Sequence, residues 1–489
     1  MAAKPSTVGK WAAWLYHESG IASVFLTGLD AWLLILSRTC RMFAFGAVAL
    51  TIALFFSELG FSDFRIGLFM SLTLLGDVVL GLVVTLMADG LGRRRVLFAG
   101  GFLMALSGAI FFVFENFWVL LLAAILGIVS AGGNDFGPFR AIEESTLSHL
   151  TTPKTRSDVL SWYVTCSSLG SAIGMEMSGR VVDALKNRDG WSLAQAYHAT
   201  FWIYIIAGVL NMIMAFSMSS KCEIVTEKSE SQPESADEYR SLLENTNQQD
   251  DSPAAPSKPQ SRFSEISAPT RSVMYKLWFL LIVDSLSDGM VSRTLTTYFL
   301  ELKFHLSEES LGHIMSISLA LATISTLFAG PLARKIGLLN TMVFTHLPSS
   351  IAVLLFPAPR GLALTIVLLY IRMGLNNMDQ APRAAFIAAA VKPHERTAVM
   401  GITSTLRTLA MATGPSVTGA LAGNDRFWIA FVAGGSLRIM YDLGLWAMFV
   451  NLRLHTHEAD DLPESEAGDR RGTTRSDEEG VMGRSQGSS

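Results

Sequence analysis

The sequence predicts an all-α polytopic membrane protein made of two pseudo-symmetric six-helix bundles. Three observations predict it. Apolar runs long enough to cross a bilayer recur along nearly the whole chain, a polar gap divides them six and six, and landmarks of the first half return in the second. Half of the 489 residues are hydrophobic and 16% are charged, which is far more apolar than an ordinary soluble chain. A bilayer core takes about 20 apolar residues per helix. Hydropathy sets spans at 33–56, 65–87, 95–114, 117–144, 159–184 and 199–219, then at 275–299, 309–331, 338–357, 361–389, 398–422 and 427–451.

In chain order, residues 1–30 form a lead with Trp11, Trp14 and Tyr16 but no basic region followed by a compact apolar core and a small-residue cleavage site. It reads as an interfacial lead-in to the first helix rather than a signal peptide. The first bundle covers 31–220. Residues 221–273 are rich in Ser, Glu, Pro and Gln, with too little apolar surface to offset the entropy of ordering, and read as a disordered linker. The second bundle covers 274–452, and the tail 453–489 shares the linker's composition. An even number of spans puts lead, linker and tail on one side. The positive-inside rule makes that side the cytosol, since its short loops carry Arg93, Arg94, Arg95, Lys154, Arg156, Arg334, Lys335, Lys392 and Arg396. The opposite loops hold the sparser Arg65, Lys303, Arg360 and Arg426.

A net charge of −4 with both signs scattered gives no surface for nucleic acid. The three cysteines, Cys40, Cys166 and Cys222, have no paired or metal-ligand spacing and read as packing residues. No phosphate loop, zinc helix motif or nucleophile elbow occurs, so no cofactor, no metal and no enzyme activity is expected. The expected partners are a small-molecule substrate, the lipid bilayer and protons, with the chain acting as a monomer.

The repeat is visible within the sequence itself. "FFSELGFSDFRIG" aligns with "YFLELKFHLSEESLG", setting Glu58 over Glu301, Phe61 over Phe304 and Gly67 over Gly312. "MADGLGRRRVL" aligns with "GPLARKIGLLN", setting Gly92 over Gly337. Farther on, Pro153 meets Pro393, Arg156 meets Arg396, Gly174 meets Gly414 and Gly179 meets Gly419. Parallel repeats of this kind build transporters whose substrate site lies between the repeats near mid-membrane.

With these landmarks the chain resembles the major facilitator superfamily, in part its fungal-type drug/proton antiporters. In the loop after the second span, "MADGLGRRR" supplies Asp89, Gly92, Arg93 and Arg94 of the family's motif, with Gly90 in the usual Arg position and Thr85 in that of the first Gly. The resemblance implies a gating loop: Gly92 permits the tight turn, while Asp89, Arg93 and Arg94 lock the bundles in one state and release them in another. Topology anchoring by the arginines is the plainer alternative. The fifth span carries Gly170, Gly174 and Gly179 of the antiporter signature but Met175 in place of its Pro. Gly414-Pro415 restores that pattern in the second half, and Ser130 falls where the drug antiporters carry a buried Arg.

Ionisable side chains at a bilayer centre cost about 2.5–3.5 kcal/mol on insertion scales, so they turn toward a cavity or one another. In the fourth span, Asp135 lies about 27 Å above the turn at Pro153. Arg140 has Glu143 and Glu144 at the i+3 and i+4 positions that allow pairing, and Gly137-Pro138 should kink the helix. The tenth span, the mate of the fourth, offers Arg372, Asn376, Asn377, Asp379, Gln380 and Arg383. The repeat sets Asp379 over Phe139 and Arg383 over Glu143. The seventh span adds Asp284, Asp288 and Arg293, with Asp284 over Arg41. Arg38 in the first span could snorkel. Substrate binding or proton coupling is expected of Asp135, Arg140, Glu143, Glu144, Asp284, Asp288, Arg372, Asn377, Asp379, Gln380 and Arg383. Self-neutralised pairing and satisfied amides are the structural alternative. Asp77 and Glu176 are lone carboxylates, the latter with Arg180 four residues on.

Within the linker, "EYRSLL" places Glu238 four residues before Leu242 and Leu243, the spacing of an acidic dileucine signal read by sorting adaptors. It sets a vacuolar or endosomal membrane beside the plasma membrane as a destination. The sequence reading is thus a secondary transporter of a small polar or ionic organic solute, working by alternating access, with spans one, four, seven and ten around the cavity. Proton-coupled export is favoured. Proton-coupled uptake and a non-transporting receptor on the same fold stand as alternatives.

Overall fold

A computed structural model describes residues 20–127, 129, 138–152, 155–223, 268–391 and 395–450, and among them every regular element is a helix. The first bundle comprises α1 (Ile21–Thr27), α2 (Leu29–Glu58), α3 (Asp63–Leu91), α4 (Arg93–Val113), α5 (Phe117–Leu126), α6 (Pro138–Leu150), α7 (Arg156–Lys186) and α8 (Leu193–Ser217). The second comprises α9 (Ala268–Met290), α10 (Arg293–Phe304), α11 (Glu308–Ile336), α12 (Leu338–Leu355), α13 (Leu362–Asn376), α14 (Gln380–Ala390), α15 (Arg396–Ala422) and α16 (Phe427–Phe449). The fourth, seventh and tenth spans are each in two pieces: α5 with α6, α9 with α10, and α13 with α14.

Six of the described helices are long and apolar enough to cross a bilayer on length and composition alone. The rest are broken or carry charges, and those departures mark the polar interior. Large apolar side chains, among them Trp118, Phe216, Phe279 and Leu327, stand exposed on the outside, while Arg38, Glu143, Asp284 and Asp442 are buried. Such an inverted arrangement suits lipid as the surrounding solvent.

Local chemistry fixes the helix ends. Asn116 accepts from the amides of Trp118 and Val119 to start α5, and Ser192 with Gln195 forms a capping box before α8. Gly92 and Gly337, mates in the repeat, take nearly the same left-handed conformation, φ 93° and 92°, between the second and third spans and between the eighth and ninth. The bundles meet through four further repeat mates. Gly67 packs on the backbone of Pro415 and Gly419 where α3 crosses α15, and Gly179 on that of Glu308 and Gly312 where α7 crosses α11. A side chain at any of the four would hold the helices apart.

Three details differ from the sequence reading. A short helix, α1, already lies within the lead and is tied to α7 by Ser23 Oγ donating to Asp158 at 2.6 Å. The second bundle begins at Ala268, ahead of 274. The fourth span is not a continuous kinked helix: α5 ends at Leu126 and α6 starts on Pro138, whose missing N–H is no loss at a first helical position. Asp135, the turn at Pro153 and Lys154, and the dileucine residues Glu238, Leu242 and Leu243 lie outside the described residues, as does the side chain of Asp89.

Candidate functional site

Each bundle holds an ionic centre joining its first and fourth spans, and the two centres have opposite polarity. In the first bundle Arg41 Nη2 on α2 lies 2.5 Å from Glu143 Oε1 on α6. Tyr163 of α7 donates its hydroxyl to Glu143 Oε2 at 2.7 Å, Arg38 Nη1 is 3.9 Å from the same oxygen, and the Arg38 guanidinium lies 4.6 Å from the Tyr163 ring centre. In the second bundle the mates are exchanged in sign. Asp284 of α9 stands where Arg41 does, Arg383 of α14 stands where Glu143 does, and the two are 3.2 Å apart. Asp379, one turn earlier, also pairs with Arg383.

These contacts correct two expectations. Arg140 pairs at 2.7 Å with Glu144, both exposed, while Glu143 faces the other way and is fully buried. The three therefore form two separate groups. Arg38 does not snorkel; it is 3% exposed, against Tyr163 and Glu143.

The two centres differ in their surroundings. Beside Arg41 the open space is about 10 Å³. Beside Arg383 lies a cavity of about 340 Å³, lined among others by Asp288, Arg293, Arg372, Gln380, Arg383 and Arg407. Its described lining comes from the seventh, eighth, tenth and eleventh spans, so the first and fourth, expected to contribute, supply none of it. Asn376 and Asn377 also face it.

Helix breaks shape this cavity. Between α9 and α10 the helix is interrupted, and Ser292 caps α10 by accepting from Leu295. The carbonyl of Val291 is freed to accept from Arg372, which also donates to Thr296 Oγ1 at 2.8 Å. Between α13 and α14 the chain tightens into a 3₁₀ turn, Asn377–Asp379. Pro382 has no N–H for the carbonyl of Met378, so α-helical bonding lapses there. Irregular backbone is tolerated at membrane depth where it lines a cavity.

Behind the cavity lies a polar group in which the sequence reading singled out only Asp284, Asp288 and Asn376. His346 of α12 is 2% exposed, with Nδ1 2.7 Å from Asp442 Oδ1 and Nε2 2.6 Å from Arg438 Nη2. A guanidinium only donates, so the contact with Arg438 needs Nε2 as an acceptor, which is the tautomer with its proton on Nδ1 toward Asp442. Arg438 also donates to Asp288 at 2.8 Å and to Asn376, both at the cavity wall. Asp284 Oδ1 lies 3.7 Å from His346 Nε2 and accepts no hydrogen bond among the described residues. The signal was present in the sequence: Arg438 and Asp442 are four residues apart inside the twelfth span, and Arg407 lies inside the eleventh.

The loop between the second and third spans is held to its own bundle. The Glu223 carboxylate accepts from the backbone amides of Arg93 and Arg94 at 2.7 and 3.2 Å, satisfying the start of α4 where Gly92 provides no cap. Arg93 Nη2 donates to Ser145 and Arg94 Nη2 to the carbonyl of Phe216. Polar contacts between the bundles cluster at the opposite end. Lys186 pairs with Glu308, Tyr197 donates to Glu308 at 3.2 Å, and Tyr298 donates to Asp63 at 2.6 Å.

Paired six-span bundles with buried charges and an internal polar cavity define an integral multi-pass membrane protein with a transporter fold. The chain belongs to the major facilitator superfamily, whose family model matches residues 34–268 and 277–474. It is 32% identical over 434 residues to the uncharacterized membrane protein YJR124C of Saccharomyces cerevisiae, across 86% of this chain and 94% of that protein. Its structure is similar to that of the nucleoside transporter NupG, with a TM-score of 0.63 and 13% identity over 87% of this chain and 100% of that one. It is similar also to a bacterial homologue of the iron transporter ferroportin in an inward-facing state, with a TM-score of 0.62 and 13% identity over 86% and 98% of the two chains. At such identities the structural likeness establishes the fold.

Proposed function

We propose that the chain is a proton-coupled secondary transporter that moves a small polar or ionic organic solute by rocking its two six-helix bundles about the cavity of the second. Lead, linker and tail face the cytosol in this reading. The observation that carries it is the 340 Å³ cavity joined through Arg438 to the buried His346. Contacts between the bundles at the end away from the linker support a state closed to the outside, which release of the Glu308 and Asp63 contacts would open. Arg140 and Glu144 sit one repeat away from Gln380 and Ala384, which line the cavity, but are not among its described lining.

Coupling follows from the chemistry of His346. A proton on Nε2 removes the acceptor that holds Arg438 and puts a donor 3.7 Å from Asp284 Oδ1. Arg438, Asp442 and Asp284, with Tyr441 packed on the ring, are the groups that respond. Protonation thereby releases a guanidinium toward the cavity wall.

The test is purified protein in liposomes under an imposed pH gradient, with proton movement followed as compounds are added. Compound-dependent proton flux is expected, and its sign against the gradient tells export by exchange from uptake by co-transport. Silence across a broad panel, with ligand binding intact, would reject transport in favour of a receptor. His346→Gln retains an acceptor for Arg438 but cannot be protonated. It should keep solute exchange and lose proton-driven accumulation; accumulation unchanged in the variant rejects His346 as the coupling residue.

A further inference from the structure

We infer that the cavity of the second bundle takes a small organic anion, an assignment that rests on the transporter reading and narrows its substrate. Among the described residues four guanidinium groups line the cavity, those of Arg293, Arg372, Arg383 and Arg407, against one carboxylate, Asp288. That carboxylate is already answered by Arg438 at 2.8 Å, and Arg383 is answered by Asp284 and Asp379. Arg372 and Arg407 have no carboxylate at ion-pairing distance among the described residues. Arg372 is held by the carbonyl of Val291 and the hydroxyl of Thr296, and Arg407 Nε donates to Ser285 Oγ at 3.1 Å.

Arg372 is only 5% exposed and shielded from bulk water, and among the described residues Asp288 acts on it only from beyond ion-pairing distance. A guanidinium carries five N–H donors in a planar fork that suits the paired oxygens of a carboxylate or phosphate. The hydrogen bonds seen use two groups of Arg372 and one of Arg407, which leaves donors for a ligand between them. Asn377, Gln380 and Ser404 add neutral polar groups to the same wall. About 340 Å³ is at the small end of ligand pockets, the size of a compact metabolite rather than a large drug. A cation there would face two guanidinium groups that no described carboxylate contacts, and a neutral solute would leave them without a direct counter-charge.

The test uses the full chain in lipid nanodiscs, titrated with succinate, inorganic phosphate and glucose 6-phosphate, with uridine and choline as neutral and cationic comparators. At least one anion should bind and both comparators fail; the succinate and phosphate arms separate the two anion chemistries. Arg407→Gln should weaken that binding at least tenfold. Ala384→Glu, which sets a carboxylate on an exposed lining position, should do the same while leaving thermal unfolding unchanged. Failure of every anion to bind, binding of uridine or choline in their place, or undiminished anion binding in both variants overturns the assignment. Liposome flux is scored apart. Anion binding without flux rejects transport and keeps the assignment; flux of a neutral solute without anion binding does the reverse.

Discussion

Glu143 is a fully buried carboxylate facing two guanidinium groups, and its neighbour Glu144 is an exposed one facing a third. Removing one partner of a buried pair leaves an uncompensated charge, so Glu143→Gln should destabilise the protein by about 3–5 kcal/mol. Glu144→Gln should cost about 0.3–0.5 kcal/mol. Thermal unfolding of the two variants in detergent checks the contrast, and equal losses would refute it. The sequence offered both glutamates to Arg140, because i+3 and i+4 each lie one turn away. Which one turns inward depends on how α6 is rotated against α2 and α7, and spacing within one helix does not carry that. Outside the spans, burial, with the Asp30 carboxylate second, pushes the Cys222 thiol up to about 12. It is 1% exposed and should resist maleimide at neutral pH until the protein is unfolded; rapid labelling of the native protein would contradict this.

At the scale of elements, the spans were legible because each is an apolar run bounded by Gly, Pro, Ser or Asn, and those residues do cap or turn the chain at Gly92, Asn116, Ser192 and Gly337. The interruptions were less so. Pro382 is visible in the sequence, but the break between α9 and α10 has no proline and is held by Arg372 capturing a freed carbonyl from another span. The glycine mates have a mechanical role that spacing alone did not reveal. Since Gly312 meets the backbone of Met175 and approaches Gly179, Gly312→Leu should prise α11 from α7 and favour the state open at that end. A cysteine placed at Ser416, bonded to Ser71 across the bundles at 2.7 Å, should then react faster with a membrane-impermeant thiol reagent. An unchanged rate would show that this crossing does not control closure.

For the whole molecule, Glu308 is a meeting point of the two bundles, since Lys186 and Tyr197 of the first bundle both reach it. Glu308→Gln should weaken that closure, and each 1.4 kcal/mol lost moves the ratio of the two states by about tenfold. The same thiol assay at Ser416→Cys reads the shift. The two-bundle plan was legible in the repeat, whereas the displacement of the cavity into the second bundle was not. Mated spans share their place in the repeat but not the side chains that fill the space between them, so Phe139 packs beneath Arg41 while its mate Asp379 binds Arg383.

The opposite polarity of the two ionic centres also limits how the halves can be recombined. A chimera with α14 in place of α6 would set an arginine against Arg41, and one with α6 in place of α14 would set a glutamate against Asp284. Either graft joins like charges on buried side chains, although the helices match in register. Only the exchange of both charged spans of a bundle together keeps each pair neutral. The duplicated halves are therefore interchangeable in shape but not helix by helix, and each ionic centre has to be inherited, or altered, as a unit.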